Sequence, residues 1–557
     1  MNECAYAPME HPPSQRRFAH VRAILWLPVM LVPTITTAAG RADGAGTVHV
    51  WQRWEHTLHS AKSYTNPYTD VVLGVTYSGP KGQTLRTYGF WDGGNAFGIR
   101  CAFPAAGTWR WHTECSDATD AGLHNQSGQV RVVSYTGRNP LYRHGFLQVS
   151  PNRRYLIHAD GTPFLWIGDT AWVGPMHAAA ADWDAYLADR VSKRFSVVQI
   201  GPAPTWAGRR DALGNTPFVG EGLAQWNPAF WREYDRKVER ANQRGLMVML
   251  VGLMEPTSRY PSSAEARLFA RQLVARLYGN FVAFSPSFDS PYMPLGDEVG
   301  AAVRDATSVH LITQHPGTDL DAAERYHSKS YVDFAGLQSG AGWGTNPLSP
   351  EIASRNAVEW SARMYRMEPP KPFVLLEARY DSGLNQGQMP RLPRSCGYLA
   401  MLSGAAGYTY GCAGLWNWGG PAGDDPQSKP WSWREGMAQP SSVDMKRMAG
   451  LFSSIRWWEL VPRPDLIRAQ PAEWTRTMAM AATPKMDLAL VYLPDNPQAT
   501  IGMEGFPGPV RAKWFNPATG ESKAVGGAVQ PTGEHTFSRP GAWGDAVLIL
   551  TSSPGRR

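Results

Sequence analysis

The chain is poor in the residues and motifs that most directly identify a chemistry. Its 557 residues include only five cysteines, none in a CxxC pair and none spaced with histidines as zinc ligands, so a zinc site is not expected. No GxSxG elbow, HExxH helix or glycine-rich phosphate loop occurs, and a protease reading therefore has neither nucleophile nor metal motif. Charged residues make up just 18%, and the formal net charge of +7 comes from scattered side chains with no Lys/Arg run of five. Nucleic acid is accordingly not an expected partner. Internal repeats and low-complexity tracts are absent, and a hydrophobic content of 43% excludes a disordered chain.

One stretch stands apart from the folded pattern. SQRRFAHVR supplies positive charge, AILWLPVMLVP an apolar run and TTAAG small residues, which together read as a signal peptide over residues 1–39 cut near Ala38 or Ala39. Export to the periplasm or beyond is expected, with no membrane attachment after cleavage; a signal anchor is the alternative. Arg16 and Arg17 hint at twin-arginine export, but their flanks fit that signal poorly. Losing this segment removes Cys4 and leaves Cys101, Cys115, Cys396 and Cys412, an even number for which Cys101–Cys115 and Cys396–Cys412 are the economical disulfides.

What the chain does have in quantity is aromatic surface: 23 Trp, 21 Tyr and 19 Phe. Such rings serve large cores and flat ligand platforms alike. The length calls for two or three folded units. Over 47–135, short alternating runs such as GTWRWHTEC, punctuated by Gly and Pro, predict a β-sandwich. Over 150–463, nearly continuous apolar strands alternate with helical stretches: FLWIGDTAW, SVVQIGPA, LMVMLVGL, FVAFSPSFD, VHLITQHP, VDFAGLQSG, FVLLEARYD and AGYTYGCAGLWNW. Eight such strands predict an α/β fold, a (β/α)8 TIM barrel. Over 466–553 the alternating style returns and predicts a small all-β domain.

Active sites of such barrels lie at the C-terminal strand ends. The polar residues there are Asp169, Gln199, Glu255, Asp289, Gln314, His315, Gln338 and Glu377, with Trp416 and Trp418 after the eighth strand. Asp289 after the fourth strand and Glu377 after the seventh would face each other across the mouth, a pair suited to hydrolysing a glycosidic bond. Glu377 is a poor helix cap, and a buried carboxylate needs a compensating reason. Asp297 and Glu298 compete with Asp289 for its role, and Glu255, before a proline, reads as a loop residue. His315 reads as a packing or hydrogen-bonding residue before it reads as a base. Trp172, Trp343, Trp416 and Trp418 are either core or sugar contacts.

These residues carry a family likeness. Through YLIHADGTPFLWIGDTAW, FWREYDRKVERANQRGL, KPFVLLEARYD and AAGYTYGCAGLWNW the barrel resembles the apiosidase-like glycoside hydrolases of family 140 and their relatives. GFWDGG and FPAAGTWRW resemble the β-domain that often precedes such barrels, and AKWFNPATGE a small domain described from collagenases as collagen-binding. The resemblance implies a strand-seven motif P-x-x-x-x-E-x-x-Y, met here by Pro372, Glu377 and Tyr380, and so Glu377 as nucleophile of a retaining mechanism. It also implies an acid after strand four. SPSFD stands where relatives carry a Gly-Gly-acid ending, so Asp289 as acid/base rests on position. QSGAGWGTN replaces a His- and Gly-rich turn, so apiose is not implied as the substrate. The expectation is an exported glycoside hydrolase acting on a poly- or oligosaccharide without metal or organic cofactor. Asp169, Trp172, Gln199, Gln314, Gln338, Trp343, Tyr380, Trp416 and Trp418 would hold the sugar. A non-catalytic exported binder of polysaccharide or matrix protein is the competing class.

Overall fold

The structure, a computed structural model, describes residues 47–202, 210–220, 223, 225–254, 262–340, 349–381, 391–418 and 431–553. The expected signal segment, Glu255 and Trp343 lie outside these residues.

Between Thr47 and Val133 the chain forms a five-stranded and a three-stranded sheet that share one core around Trp54, Tyr77, Ile99, Phe103 and Trp109. Gly107–Cys115 shows why: Trp109, Trp111, Thr113 and Cys115 point inward while Thr108, Arg110, His112 and Glu114 face water, the period of a half-buried strand.

The middle of the chain builds a parallel sheet of seven strands. Their order in space is Val282–Ser285, Met247–Val251, Val197–Ile200, Trp166–Thr170, Gly407–Tyr410, Phe373–Glu377 and Ala335–Gln338. Helices alternate with them, started by local chemistry: Asn227 caps Pro228–Gln243, and Ser262 with Glu265 forms a capping box on Ser263–Leu277. The expected fifth strand is not regular. Residues 311–316 bridge the two edge strands instead, with Phe284 N donating to Leu311 O (3.0 Å), Thr313 N to Phe284 O (2.9 Å) and Asp333 N to Ile312 O (2.8 Å). The ladder stops because Ser285 Oγ (2.8 Å) and Ser287 Oγ (2.9 Å) accept the His315 N–H, and because Pro316 has none to offer.

From Val461 onward lie a six-stranded sheet and a separate two-stranded ribbon, so sheet structure starts before the expected boundary at 466. Strand Leu488–Leu493 serves two cores. Leu488, Leu490 and Tyr492 join the core of the parallel-sheet unit, whereas Ala489, Val491 and Leu493 line the sheet's own core.

Buried ion clusters reinforce both junctions. Asp235 receives Arg100 (2.8 Å) from the first unit and Arg276 (2.7 Å) from the helical layer, and both guanidinium groups lie over the Phe90 ring. On the other side Arg394 joins Asp545 (2.7 Å) to Asp444 (2.8 Å).

The two expected disulfides are not formed: Cys101, Cys115, Cys396 and Cys412 are buried free thiols. Nearness in sequence does not bring Cβ atoms face to face. Cys101 and Cys115 sit on strands of different sheets, and Cys412 Sγ lies against Gly436 O at 3.4 Å. Among the described residues no helix is long and apolar enough to cross a membrane.

Removing the shared anion should strand two buried cations. Asp235→Ala is expected to lose about 3–5 kcal/mol of unfolding free energy in denaturant titration, and a loss below about 1 kcal/mol would contradict this account.

Candidate active site

Glu377 closes strand Phe373–Glu377 and is completely buried. Neither carboxyl oxygen makes a hydrogen bond of normal geometry; the nearest basic atom is His315 Nε2, 3.4 Å from Oε2. Burial pushes its pKa up to about 8, against the pull of the Tyr380 hydroxyl. No other buried carboxylate among the described residues is left this way. Asp169, Asp235, Asp444 and Asp545 have arginine partners, Asp120 accepts from Ser60, Ala61 and Gly122, and Asp211 from backbone N–H groups.

Asp289 reaches the same place from an unusual backbone. Its φ is +46°, a left-handed conformation uncommon outside glycine, and the pairing of Phe288–Ser290 with His315–Pro316 shifts register there. Pro286 and Pro291 flank the bulge, while the two seryl hydroxyls on His315 N and the Gln314 side chain on Ser287 N (2.9 Å) pin it. Strain held in place by surrounding bonds is characteristic of functional positions. Asp289 is only half-buried, yet its pKa rises to about 7, through desolvation first and then the charge of Glu377, with His315 and Gln338 acting the other way. The two carboxyls therefore feel each other across the site. Which one holds the shared proton is a property of the pair.

Three neighbours complete the arrangement. His315 is fully buried, edge-on to Trp172 (5.4 Å between centroids), and burial lowers its pKa to about 4, so the ring is neutral at physiological pH. Tyr380 accepts a hydrogen bond from Trp172 Nε1 (3.2 Å) and is also held by Thr170; burial and the Glu377 charge keep its phenol protonated. Gly411 makes room for that ring, since a Cβ there would stand 2.2 Å from Tyr380 Cε1. Gln338 stands opposite Glu377 across the adjoining strands, where their register shifts, and its amide lowers the proton affinity of Asp289 without a hydrogen bond of normal geometry.

Of the expected sugar contacts, Gln338, Tyr380 and Trp172 thus surround the carboxyl pair, Trp172 as a buried support. Trp416 lies beside Trp172, its carbonyl accepting from Val173 N (3.4 Å). Four lie elsewhere. Thr170 pairs with Gln199, and Thr409 with Gly168, on the inner face of the sheet, so Asp169 points outward, where Arg190 (2.7 Å) and Tyr186 (2.6 Å) neutralise it. Gln199 is consumed within the sheet by Leu376 O (2.9 Å) and Thr409. Gln314 faces Gly296 O and Tyr331, leaving its neighbour His315 to face the carboxyls. Trp418 stacks on Trp433 (4.6 Å) and packs against Trp183 and Tyr186. His315, set aside as a packing residue, is the side chain that strand alternation favoured over Gln314. Thr170 and Gly411 carried no signal of their own. Among the described residues no group of three or more His, Cys, Asp or Glu is placed to hold a metal ion.

Comparisons with known proteins bear on this site. Residues 150–459 match the family model described as "Apiosidase-like, catalytic domain". Residues 47–116 match a domain of unknown function, DUF5060, and 461–551 a "Putative collagen-binding domain of a collagenase". No curated protein matches. Among solved structures, a glycoside hydrolase superposes with TM-score 0.66 at 20% identity, covering 75% of this chain and 99% of its own. A family 5 glycoside hydrolase from Bacteroides vulgatus ATCC 8482 gives TM-score 0.64 at 20% identity, covering 75% and 95%. A "putative glycoside hydrolase" of the same organism gives 0.68 at 17% identity, covering 91% and 100%. At these identities the likeness is one of fold.

Two outcomes follow. Because the folded-state pKa of Glu377 is raised, the stability tied to its protonation is fully present below the ordinary carboxylate value and lost as pH rises through about 8. Glu377→Gln should therefore melt above wild type at pH 9, and the difference should shrink toward pH 5 in a thermal scan. Gly411→Ala should displace Tyr380 and lower kcat by at least about tenfold while leaving the far-ultraviolet circular dichroism unchanged.

Proposed function

The chain belongs to the apiosidase-like glycosidases, and on that premise we propose that Glu377 and Asp289 are the carboxyl pair that cleaves its glycosidic bond. The observation that carries the reading is the state of Glu377: buried, unpaired and close enough to Asp289 to raise its pKa. A carboxylate left uncompensated in an interior demands a function that outweighs its desolvation.

Glu377 attacks the anomeric carbon. It sits at the end of a regular strand, oriented by Tyr380 and beside a neutral His315 that offers a dipole without a competing charge. Asp289 protonates the leaving oxygen and then activates the water that releases the sugar, which regenerates the acid and gives net retention. Its partial exposure suits that role, because the acid exchanges a proton with solvent in every cycle while the nucleophile need not. Gln338 favours the ionised form of Asp289, and Trp172 holds the Tyr380 hydroxyl.

The reading extends to an eight-position (β/α)8 ring in which 311–316 stands for the fifth strand, and to three domains over 47–135, 150–463 and 466–553. It also includes export to the periplasm or cell exterior directed by 1–39, and a plant or microbial poly- or oligosaccharide as substrate.

Hydrolysis of a panel of aryl pentosides and hexosides, furanosides included, tests the assignment. Asp289→Asn should slow release of poor leaving groups about 10²–10⁴-fold but spare the first burst of dinitrophenolate from dinitrophenyl glycosides, which departs without a proton, with steady-state turnover then limited by attack of water. Glu377→Gln should abolish turnover of both, and undiminished activity of that variant refutes the proposal. The pair is active with one shared proton, carried by Asp289 in the reactive form; it gains a second as pH falls through about 7 and loses the last as pH rises through about 8. The profile of kcat/KM should accordingly be a narrow bell between those limbs.

A further inference from the structure

The strand that ends at Glu377 begins beside a second polar feature. Lys371, two residues before Phe373, lies roughly 20 Å from Glu377 at the rise of an extended chain, on the opposite rim of the parallel sheet. It lines a cleft of about 790 Å³ between that rim, the first β-unit and the connecting segment around Phe146–Val149. Four cations line the cleft, Arg153, Arg304, Lys329 and Lys371, against the single carboxylate Asp333. Two of them are neutralised, Arg304 by Asp333 and Lys329 by Asp297.

The other two are not. Lys371 is only 5% exposed, yet its ammonium group makes one hydrogen bond, to Lys329 O at 2.7 Å, leaving two donors unused. Arg153 is exposed in a turn where its own φ is +57°, donates through Nε to Pro370 O (2.7 Å), and has no ion-pair partner among the described residues. That bond, to the residue just before Lys371, puts the two cations on the same part of the cleft lining. A buried ammonium with two spare donors, whose one acidic neighbour Asp333 is already taken by Arg304, and a guanidinium without an ion-pair partner can together receive an anion. The same cleft has an aromatic lining residue. Trp51 is partly exposed, packs on Phe146 (5.2 Å between centroids) and lies against Gly145, where a Cβ would stand 2.5 Å from its ring. A flat ring held rigidly next to cationic donors suits a sugar that carries an acid group.

We infer that this cleft is a second, non-catalytic site for a carboxylated saccharide, whose ring lies on Trp51 and whose carboxylate meets Arg153 and Lys371. That the ligand is a saccharide rather than another anion rests on the glycosidase reading above; the site itself does not. It would hold an acidic stretch of polysaccharide while the opposite rim cleaves elsewhere along the chain.

Calorimetric titration of the full chain with cellobiouronic acid, cellobiose and inorganic phosphate tests this, using Glu377→Gln protein so that nothing is hydrolysed. Cellobiouronic acid should bind at least about tenfold more tightly than cellobiose, and Arg153→Ala and Lys371→Met should each remove about tenfold or more. Arg153→Ala, an exposed position, keeps the test interpretable if Lys371→Met misfolds, and it should leave kcat/KM for aryl glycosides unchanged. Equal binding of the acidic and neutral disaccharides overturns the proposal, as does phosphate binding as tightly as the uronate. Insensitivity of uronate binding to Arg153→Ala places the ligand elsewhere and overturns it too. None of these outcomes depends on the catalytic assignment, which turnover by Asp289 and Glu377 variants decides separately.

Discussion

Taking a carboxylate out of water is the dominant constraint on this molecule, and the chain meets it in two ways. Where a buried acid serves architecture it is matched by arginine. Asp169 has Arg190, Asp235 has Arg100 and Arg276, and Asp545 has Arg394, with further acceptors or donors filling in around each. At the acid we assign to chemistry the match is withheld. Glu377 has only an uncharged imidazole and a phenol near it, so its ionised form is poorly compensated by the protein and is left to meet positive charge developing on a substrate.

The site's precision comes from backbone features more than from its side chains. A left-handed aspartate, a register shift on each of two strand pairs and a glycine that admits a tyrosine ring set where the carboxyls stand. The segment 311–316 gives up regular strand geometry so that two seryl hydroxyls can take the His315 N–H, and this same concession turns His315 toward the carboxyls. Irregularity in the fifth strand and geometry in the site are thus one arrangement.

Much of this was legible in the sequence. An apolar run ending in Glu377, with Pro372 before it and Tyr380 after, announces a charge at a buried strand end, and period-two alternation in GTWRWHTEC announces a β-core. What misled was phase. A polar residue near a strand end faces either the site or the helical layer, and one residue decides which. Asp169 and Gln314 fall on the outer phase, next to Thr170 and His315 on the inner. No local pattern announces a register shift, so the bulge at Asp289 was invisible, as was the unpaired state of the cysteines, because contacts between sheets depend on packing distant in sequence. Trp418 illustrates the same limit. Its glycine-rich neighbourhood resembles a binding loop, but Trp183, Tyr186 and Trp433 enclose it.

The strand Leu488–Leu493 divides its side chains between two cores, and Asp545 completes an ion cluster begun by Arg394 and Asp444. Sequence boundaries near 460 therefore do not coincide with energetic ones. A chain cut there would bare Leu488's partners on the helical side and leave Arg394 with half its counter-charge. Modules that appear detachable in an alignment are here heritable only together: a lineage could exchange the terminal β-domain for another only by one that brings its own apolar face and its own acid to the same helix. Shuffling of this domain is consequently restricted to donors with that matched interface.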